Sequence, residues 1–352
     1  MASLSIGQVN LEFSDLPVEI HSLPTDAPWE KDIKDFLLSW FDSSDAMNIP
    51  TSGSTGKPKE VRVLKEDMRR SARYTIDHFD LKTGMTALLC LPANLVAGKM
   101  MMIRCMEAGM NCLAFEPSAR PLRSIEESVD FVAMTPYQVH HSLENEAEKF
   151  EVLATVIIGG AALGPGDQEK LGKFSNRVEI TYGMTESITH IATSRISKGG
   201  DKGLFSLISK DFSITTDDDN RLVIKSPYLH MPVIKSQDVV SLEGNDTFRL
   251  LGRADNVINS GGVKIHPELL ENKISKLMDR PYFIAGIPHD SLGEQVILFI
   301  EGPESENKGA VLAQLKAIVH PYECPKDIIF LDQFSYTSSH KINRVKTLEM
   351  HP

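Results

Sequence analysis

Thr51-Ser52-Gly53-Ser54-Thr55-Gly56-Lys57-Pro58-Lys59-Glu60-Val61 is the stretch whose reading decides the fold. Four hydroxyl side chains, two glycines and two lysines fall between positions 51 and 59. Glycine lets the backbone turn its N–H groups toward an anion, and hydroxyl and ammonium groups add donors. A loop of this composition suits a polyphosphate. It is not a Walker A loop, which needs four residues between its glycines and a Ser or Thr after the lysine; here two intervene and Pro58 follows. Standing alone, the stretch also has a second, less favoured reading as a flexible Gly/Ser surface loop, and its neighbours decide.

Outward from the loop, Glu60-Val61-Arg62-Val63 is strand-like and residues 65–79 form a charged amphipathic helix. Residues 85–91 (MTALLCL) read as a buried strand ended by Pro92, followed by a methionine-rich helix over 98–110. Short apolar strands recur at 111–115, 129–134 (closed by Thr135-Pro136) and 155–160, with a polar helical stretch at 144–151. Strands alternating with helices across 60–180 point to a mostly parallel α/β sheet. Upstream, residues 1–50 form an entry segment, with a short strand at 9–13, a helix at 29–41 and Asn48-Ile49-Pro50 leading into the loop. Residues 178–250 differ: alternating runs at 221–225 and 248–251 are separated by turn signals such as Asp217-Asp218-Asp219-Asn220, which marks a β-rich region. From Gly252 the pattern changes again, with helices at 267–277 and 310–319 and strands near 282–286 and 296–300. The expected fold class is therefore α/β. A large N-terminal domain (1–252) carries a mostly parallel sheet plus a β-rich subdomain, and a small α+β C-terminal domain spans 253–352.

The whole chain of 352 residues suffices for two such domains. A formal charge of -11 argues against general nucleic-acid or anionic-membrane binding, so any anion site must be built locally. Residues 1–10 contain no apolar run of signal-peptide length, and no stretch approaches the roughly 20 apolar residues of a membrane span. The four cysteines, Cys90, Cys105, Cys112 and Cys324, show no C-x-x-C spacing. They read as buried, reduced thiols of a cytoplasmic protein. Met100, Met101, Met102 and Met106 read as core packing, and the acids at 217–219 as a solvated hairpin tip.

Taken together, the chain's punctuation resembles the adenylate-forming superfamily of acyl-CoA synthetases, luciferases and adenylation domains. The residues that carry the resemblance run in the family's order: residues 51–61, then Tyr182-Gly183-Met184-Thr185-Glu186, Asp238, Gly252-Arg253-Ala254-Asp255-Asn256-Val257-Ile258-Asn259-Ser260-Gly261-Gly262, and Lys341-Ile342-Asn343-Arg344. Softer cues, Thr135-Pro136-Tyr137-Gln138-Val139, Ile158-Gly159-Gly160-Ala161-Ala162-Leu163 and residues 182–192, resemble the branch of CoA ligases that activates o-succinylbenzoate in menaquinone biosynthesis. Three departures stand out. Only 50 residues precede the loop, Leu95 replaces the family's usual histidine, and His340 replaces the glycine before the lysine.

The resemblance implies an ATP- and Mg²⁺-dependent ligase for a carboxylic acid, with coenzyme A as the thiol acceptor. A domain that loads a carrier protein, or a non-catalytic nucleotide-binding homologue, are the alternatives, and a homodimer is compatible with all three. Lys341 would bridge the acid and the α-phosphate. Thr51, Ser52, Gly53, Ser54, Thr55, Gly56 and Lys57 would hold the outer phosphates, Thr185 would contact the α-phosphate and Glu186 would ligate Mg²⁺. Gly159, Gly160 and Ala161 would pass close to the nucleotide, with Tyr182 and Gly183 flanking adenine and Asp238 and Arg253 on the ribose. Asp255 would be the hinge, and Ser260, Gly261, Gly262 and Lys264 would face CoA. For a substrate with a second carboxylate, Arg104 is the favoured cation and Lys99 the other, with Thr135, Ser187, Thr189 and His190 lining the acid.

Overall fold

The computed structural model describes residues 2–50, 60–200, 203–228, 231–304, 308–336 and 342–351. The N-terminal elements are β1 (Ser3–Ile6), β2 (Val9–Glu12), α1 (Leu16–Glu19), α2 (Pro28–Phe41), β3 (Ala46–Pro50) and β4 (Glu60–Leu64). Next come α3 (Lys65–Phe79), β5 (Thr86–Leu89), α4 (Val96–Ala108), β6 (Asn111–Ala114) and β7 (Val129–Met134). They are followed by α5 (Pro136–Asn145), β8 (Leu153–Ile158), α6 (Pro165–Leu171) and β9 (Arg177–Gly183). The β-rich stretch supplies β10 (His190–Ile196), β11 (Leu204–Leu207), β12 (Ser213–Thr216), β13 (Arg221–Lys225), β14 (Val233–Leu242) and β15 (Thr247–Arg253). The C-terminal part holds β16 (Ile258–Ser260), β17 (Val263–Ile265), α7 (Pro267–Ile274), β18 (Tyr282–His289), β19 (Gly293–Glu301), α8 (Lys308–Ile318), β20 (Asp327–Leu331) and α9 (Arg344–Glu349).

The fold is mixed α/β. One large sheet runs in the order β12-β13-β14-β15-β11-β10-β9-β8-β7-β5-β6-β1-β2. From β9 across to β1 the pairs are parallel, while β10 pairs antiparallel with β9 and opens the antiparallel arm. Alternation along the parallel strands sends side chains to opposite faces and builds two cores. Ala87, Leu89, Phe131, Ala133 and Ile157 face the layer formed by α2, α3 and α4. Leu88, Val132, Met134, Val156 and Ile158 face α5 and α6 through Val139, Leu143 and Leu171. Met100, Met101 and Met102 are fully buried in the first core, as packing requires. A second, smaller sheet joins β16, β17, β18, β19 and β20, with β20 parallel to β19.

Two sequence expectations change. The strand ending at Thr135-Pro136 is followed at once by a helix, α5. Thr135 Oγ1 accepts the Gln138 N–H at 3.2 Å, and Gln138 Oε1 accepts the Thr135 N–H at 3.0 Å. Pro136 sits at the first helical position. That capping box starts a helix where Pro136 had been read only as a strand's end, and the helical stretch expected over 144–151 is instead the end of α5 plus a 3-10 turn over Ala147–Val152. The entry segment is also part of the sheet, because β1 pairs in parallel with β6 and β2 closes that edge.

Candidate functional site

Adjacent parallel strands β9, β8, β7 and β5 all end at one edge of the large sheet. Ligands of open α/β sheets bind outside such carboxyl ends. The turns leaving this edge carry Tyr182–Glu186 after β9, Gly159-Gly160-Ala161 after β8, Thr135 after β7 and residues 92–98 after β5. A Cβ on Gly159 would lie 2.5 Å from Thr181 Oγ1, and Gly160 has φ +90°, so the turn is bare backbone.

Tyr182 ties this edge to the antiparallel arm. Its hydroxyl donates to Asp238 Oδ2 at 2.6 Å, and the ring is buried among Phe205 and Phe248. Burial and the Asp238 carboxylate push the phenol well above its ordinary range, so it remains a donor. Register opposes Asp238 to Arg253, and Arg253 Nη1 stands 3.6 Å from Asp238 Oδ1. Arg253 Nη2 also bonds Asp255 Oδ2 at 2.8 Å. Burial works against the Arg253 charge, but Asp255 and Asp238 outweigh it and raise its pKa. Ser236 Oγ, which the sequence reading passed over, accepts the Asp238 N–H at 3.1 Å and fixes the strand there.

The turn after β9 is tightly knotted. Gly183 passes so close to the returning chain that a Cβ would lie 2.2 Å from Thr189 O. Ser187 Oγ accepts the Met184 N–H at 3.0 Å and donates to Thr189 O at 2.7 Å. Ile188, at φ 68° and ψ -56°, bends the backbone so that the Thr189 N–H reaches Ser187 O at 2.8 Å. Ser187 therefore holds the turn, and Glu186 is left on its exposed side. Glu186 is the carboxylate this turn offers to a hydrated divalent cation, and among the described residues no cluster of three metal-ligating side chains surrounds one.

Behind the turn lies a buried polar file. Thr189 Oγ1 bonds Ser71 Oγ at 2.7 Å, and His190 Nε2 is 3.4 Å from Thr75 Oγ1. Ser71 and Thr75 are polar residues on the apolar face of α3; their i,i+4 spacing beside Met68, Ala72 and Phe79 was the available signal. Arg104 is 3% exposed on α4, its Nε lacks a hydrogen-bond partner and no carboxylate pairs with it among the described residues. Burial pulls its pKa down to about 10, so it stays charged at neutral pH. It lies near enough to His190 to lower the imidazole's pKa, second only to the burial of that ring, which keeps His190 neutral.

Lys99 has a different setting. Its Nζ donates to Ala93 O at 2.9 Å and Asn94 O at 2.6 Å. It lines a cleft of about 550 Å³ with Asp32, Asp35, Asp42 and Asn48, acidic company that suits a substrate carboxylate poorly. In the second sheet, Ser260, Gly261 and Gly262 form the β16–β17 turn, and Lys264 Nζ is 3.9 Å from Asp219. Residues Thr51, Ser52, Gly53, Ser54, Thr55, Gly56, Lys57 and Lys341 lie outside the described residues. Among the described residues no helix is long and apolar enough to cross a membrane.

A family model described as AMP-binding enzyme matches residues 10–210, more than half of the chain. The 2-succinylbenzoate–CoA ligase of Listeria monocytogenes is 25% identical over 351 residues, covering 92% of this chain and 74% of that protein. An acyl-CoA synthetase (AMP-forming)/AMP-acid ligase II-like protein from Dyadobacter fermentans is 30% identical, with a TM-score of 0.62 and coverage of 94% of this chain and 97% of that one. o-Succinylbenzoate CoA synthetase from Bacillus subtilis, in complex with its acyl-adenylate intermediate, superimposes with a TM-score of 0.77 at 20% identity over 85% of this chain and 68% of that chain. The chain belongs to the AMP-binding enzyme family. Within it, the chemistry is that of an AMP-forming acid–thiol ligase.

Proposed function

We propose that this ligase joins an aromatic dicarboxylic acid, o-succinylbenzoate, to coenzyme A at the expense of ATP. The single observation that carries the dicarboxylate is Arg104, a buried guanidinium without a carboxylate partner. Removing an arginine from water costs free energy that a paired anion must offset. An acid with one carboxylate to activate and a second to anchor supplies that anion, and a guanidinium grips it bidentately. The relatedness to 2-succinylbenzoate–CoA ligases points the same way.

The reaction has two halves. A carboxylate oxygen attacks the α-phosphorus of ATP and pyrophosphate leaves; the thiol sulfur of CoA then attacks the acyl carbonyl and AMP leaves. In this reading Asp238, oriented by Tyr182 and Arg253, accepts hydrogen bonds from the ribose hydroxyls. The bare turn at Gly159-Gly160-Ala161 lets backbone approach the nucleotide. Thr185 contacts the α-phosphate, while Glu186 with residues 51–57 would hold Mg²⁺ and the outer phosphates. Mg²⁺ when bound neutralises phosphate charge. Lys341 supplies positive charge where the two anions meet, which is worth most at the transition state. The division at 252/253 would let the C-terminal part present Lys341 first and the Ser260–Gly262 turn afterwards.

Pyrophosphate release from ATP and Mg²⁺ tests this across o-succinylbenzoate, benzoate, a medium-chain fatty acid and acetate, each with and without CoA. CoA-dependent turnover with o-succinylbenzoate alone is the expected result. Preference for a monocarboxylate would keep the ligase and remove the dicarboxylate. Pyrophosphate exchange that CoA never drives to thioester would point to a carrier-protein acceptor.

A further inference from the structure

We infer that Glu294 is a positioning residue for the thiol-transfer half-reaction, holding the Ser260–Gly262 turn in the shape that admits the acceptor's arm. The inference rests on the reading above that this turn faces CoA. Gly261 and Gly262 have φ of +59° and +84°, a backbone course that side-chain-bearing residues rarely follow. No atom lies within 4 Å of where a Gly262 Cβ would stand, so the apex is bare and open. Such a turn has no side chains with which to fix itself. Its shape is set by the antiparallel pairing of β16 with β17 on either side and by one support from outside.

The neighbouring hairpin supplies it. Glu294 is the second residue of β19, next to Gly293, which pairs with Ser260 across the sheet. Its Oε2 accepts the Asn259 N–H at 2.7 Å, on the strand that enters the turn. Leu292 O accepts the Gly261 N–H at 2.8 Å, on the turn itself. The carboxylate is seated in turn by Gly286 on β18, where a Cβ would stand 2.8 Å from Glu294 Oε1. No cation pairs with Glu294 among the described residues, so its carboxylate is committed to holding backbone. A carboxylate oxygen on a backbone N–H is a charge-assisted bond with fixed direction, suited to holding a loop in register.

The two half-reactions read this out separately in the full-length protein. One assay follows o-succinylbenzoate-dependent adenylate formation, and the other follows thioester formation from supplied acyl-adenylate and CoA. E294A is expected to slow thioester formation and raise the KM for CoA by about tenfold, since small misplacements of a reacting partner cost this much or more. Adenylate formation should stay within about twofold of wild type by the same argument. E294Q keeps an acceptor oxygen for the Asn259 N–H and should recover most of the rate. G286A, whose Cβ would press on both the Glu294 carboxylate and Ile258 of the strand entering the turn, should likewise slow thioester formation more than adenylation. Equal slowing of both halves, or no change in either, would overturn the inference. If wild type forms adenylate but no CoA thioester, the CoA reading itself fails instead, and the two failures are told apart.

Discussion

At the scale of single residues, the role proposed for Arg104 sets function against stability. A buried charge without a partner is a net cost to the folded protein, and replacing such a group with an apolar one of similar volume is often neutral or stabilising. Arg104→Met should therefore melt no lower than wild type, and higher if the site packs well. The same substitution should raise the KM for o-succinylbenzoate roughly ten- to a hundredfold, because a hydrogen bond to a charged group is worth about 1.5–3 kcal/mol. The weak binding of benzoate, which has no second carboxylate, read as its inhibition constant, should barely move. A variant that loses stability and affects both acids equally would show that the guanidinium is structural. His190 fits the same picture: held neutral by its burial and then by the Arg104 charge, it adds no second cation beside that guanidinium.

At the scale of elements, the turn between β9 and β10 concentrates strain beside the candidate nucleotide edge. Ile188 adopts φ 68° and ψ -56°, a three-residue turn that is rare and costly for a β-branched residue. Its side chain is 3% exposed and packs into the core shared with α3 and α4. Two substitutions separate these contributions. Ile188→Ala loses burial and keeps the strain, at a cost of about 2–5 kcal/mol. Ile188→Gly loses slightly more burial but relieves about 1–3 kcal/mol of strain. Glycine should thus be at least as stable as alanine here, reversing their usual order, as urea midpoints would show; alanine clearly above glycine would mean that the turn stores no strain. The existence of this turn was legible from Tyr182-Gly183-Met184-Thr185-Glu186, yet its knotting was not. Gly183 approaches Thr189 O, and Ser187 reaches Thr189 O, only because β9 and β10 pair across a register shift. Elements with local signals are legible in the sequence, including α3 from its periodicity and β7 from its apolar run. Those defined by distant partners are not: β1 is a strand because β6 accepts it, and α5 begins at a capping box that resembled a strand's end. Tyr182, Asp238 and Arg253 were named singly from motif order, whereas their joining by hydrogen bond and ion pair depends on strands β9, β14 and β15 meeting. Ser71, Thr75 and Ser236 went unnamed because their value lies in what they touch.

At the scale of the whole molecule, one short 3-10 turn, Ala254–Asn256, leads from the large sheet to the small one. Ion pairs between the two parts, Lys264 with Asp219 at 3.9 Å and Lys276 with Glu169 at 3.4 Å, involve exposed side chains. Pairs of this kind contribute about 0–1 kcal/mol each and are screened by salt. Breaking them would cost little, whereas α7 packs against β15, with Glu268 and His266 beside Gly252, so a swing of the small sheet would have to release that contact as well. Asp255 sits in that turn and accepts a bond from Arg253, which also faces Asp238. Its side chain and its backbone freedom are thus separable. Asp255→Ala removes Arg253's partner but leaves φ free; Asp255→Pro removes the same partner and fixes φ near -65°. If the turn is the hinge between half-reactions, the alanine variant should keep both halves close to wild type. The proline variant should slow thioester formation by about tenfold or more while sparing adenylation, because fixing the wrong dihedral withholds only the second arrangement. Selective loss of adenylation in the proline variant, or equal behaviour of proline and alanine, would move the pivot elsewhere in the chain.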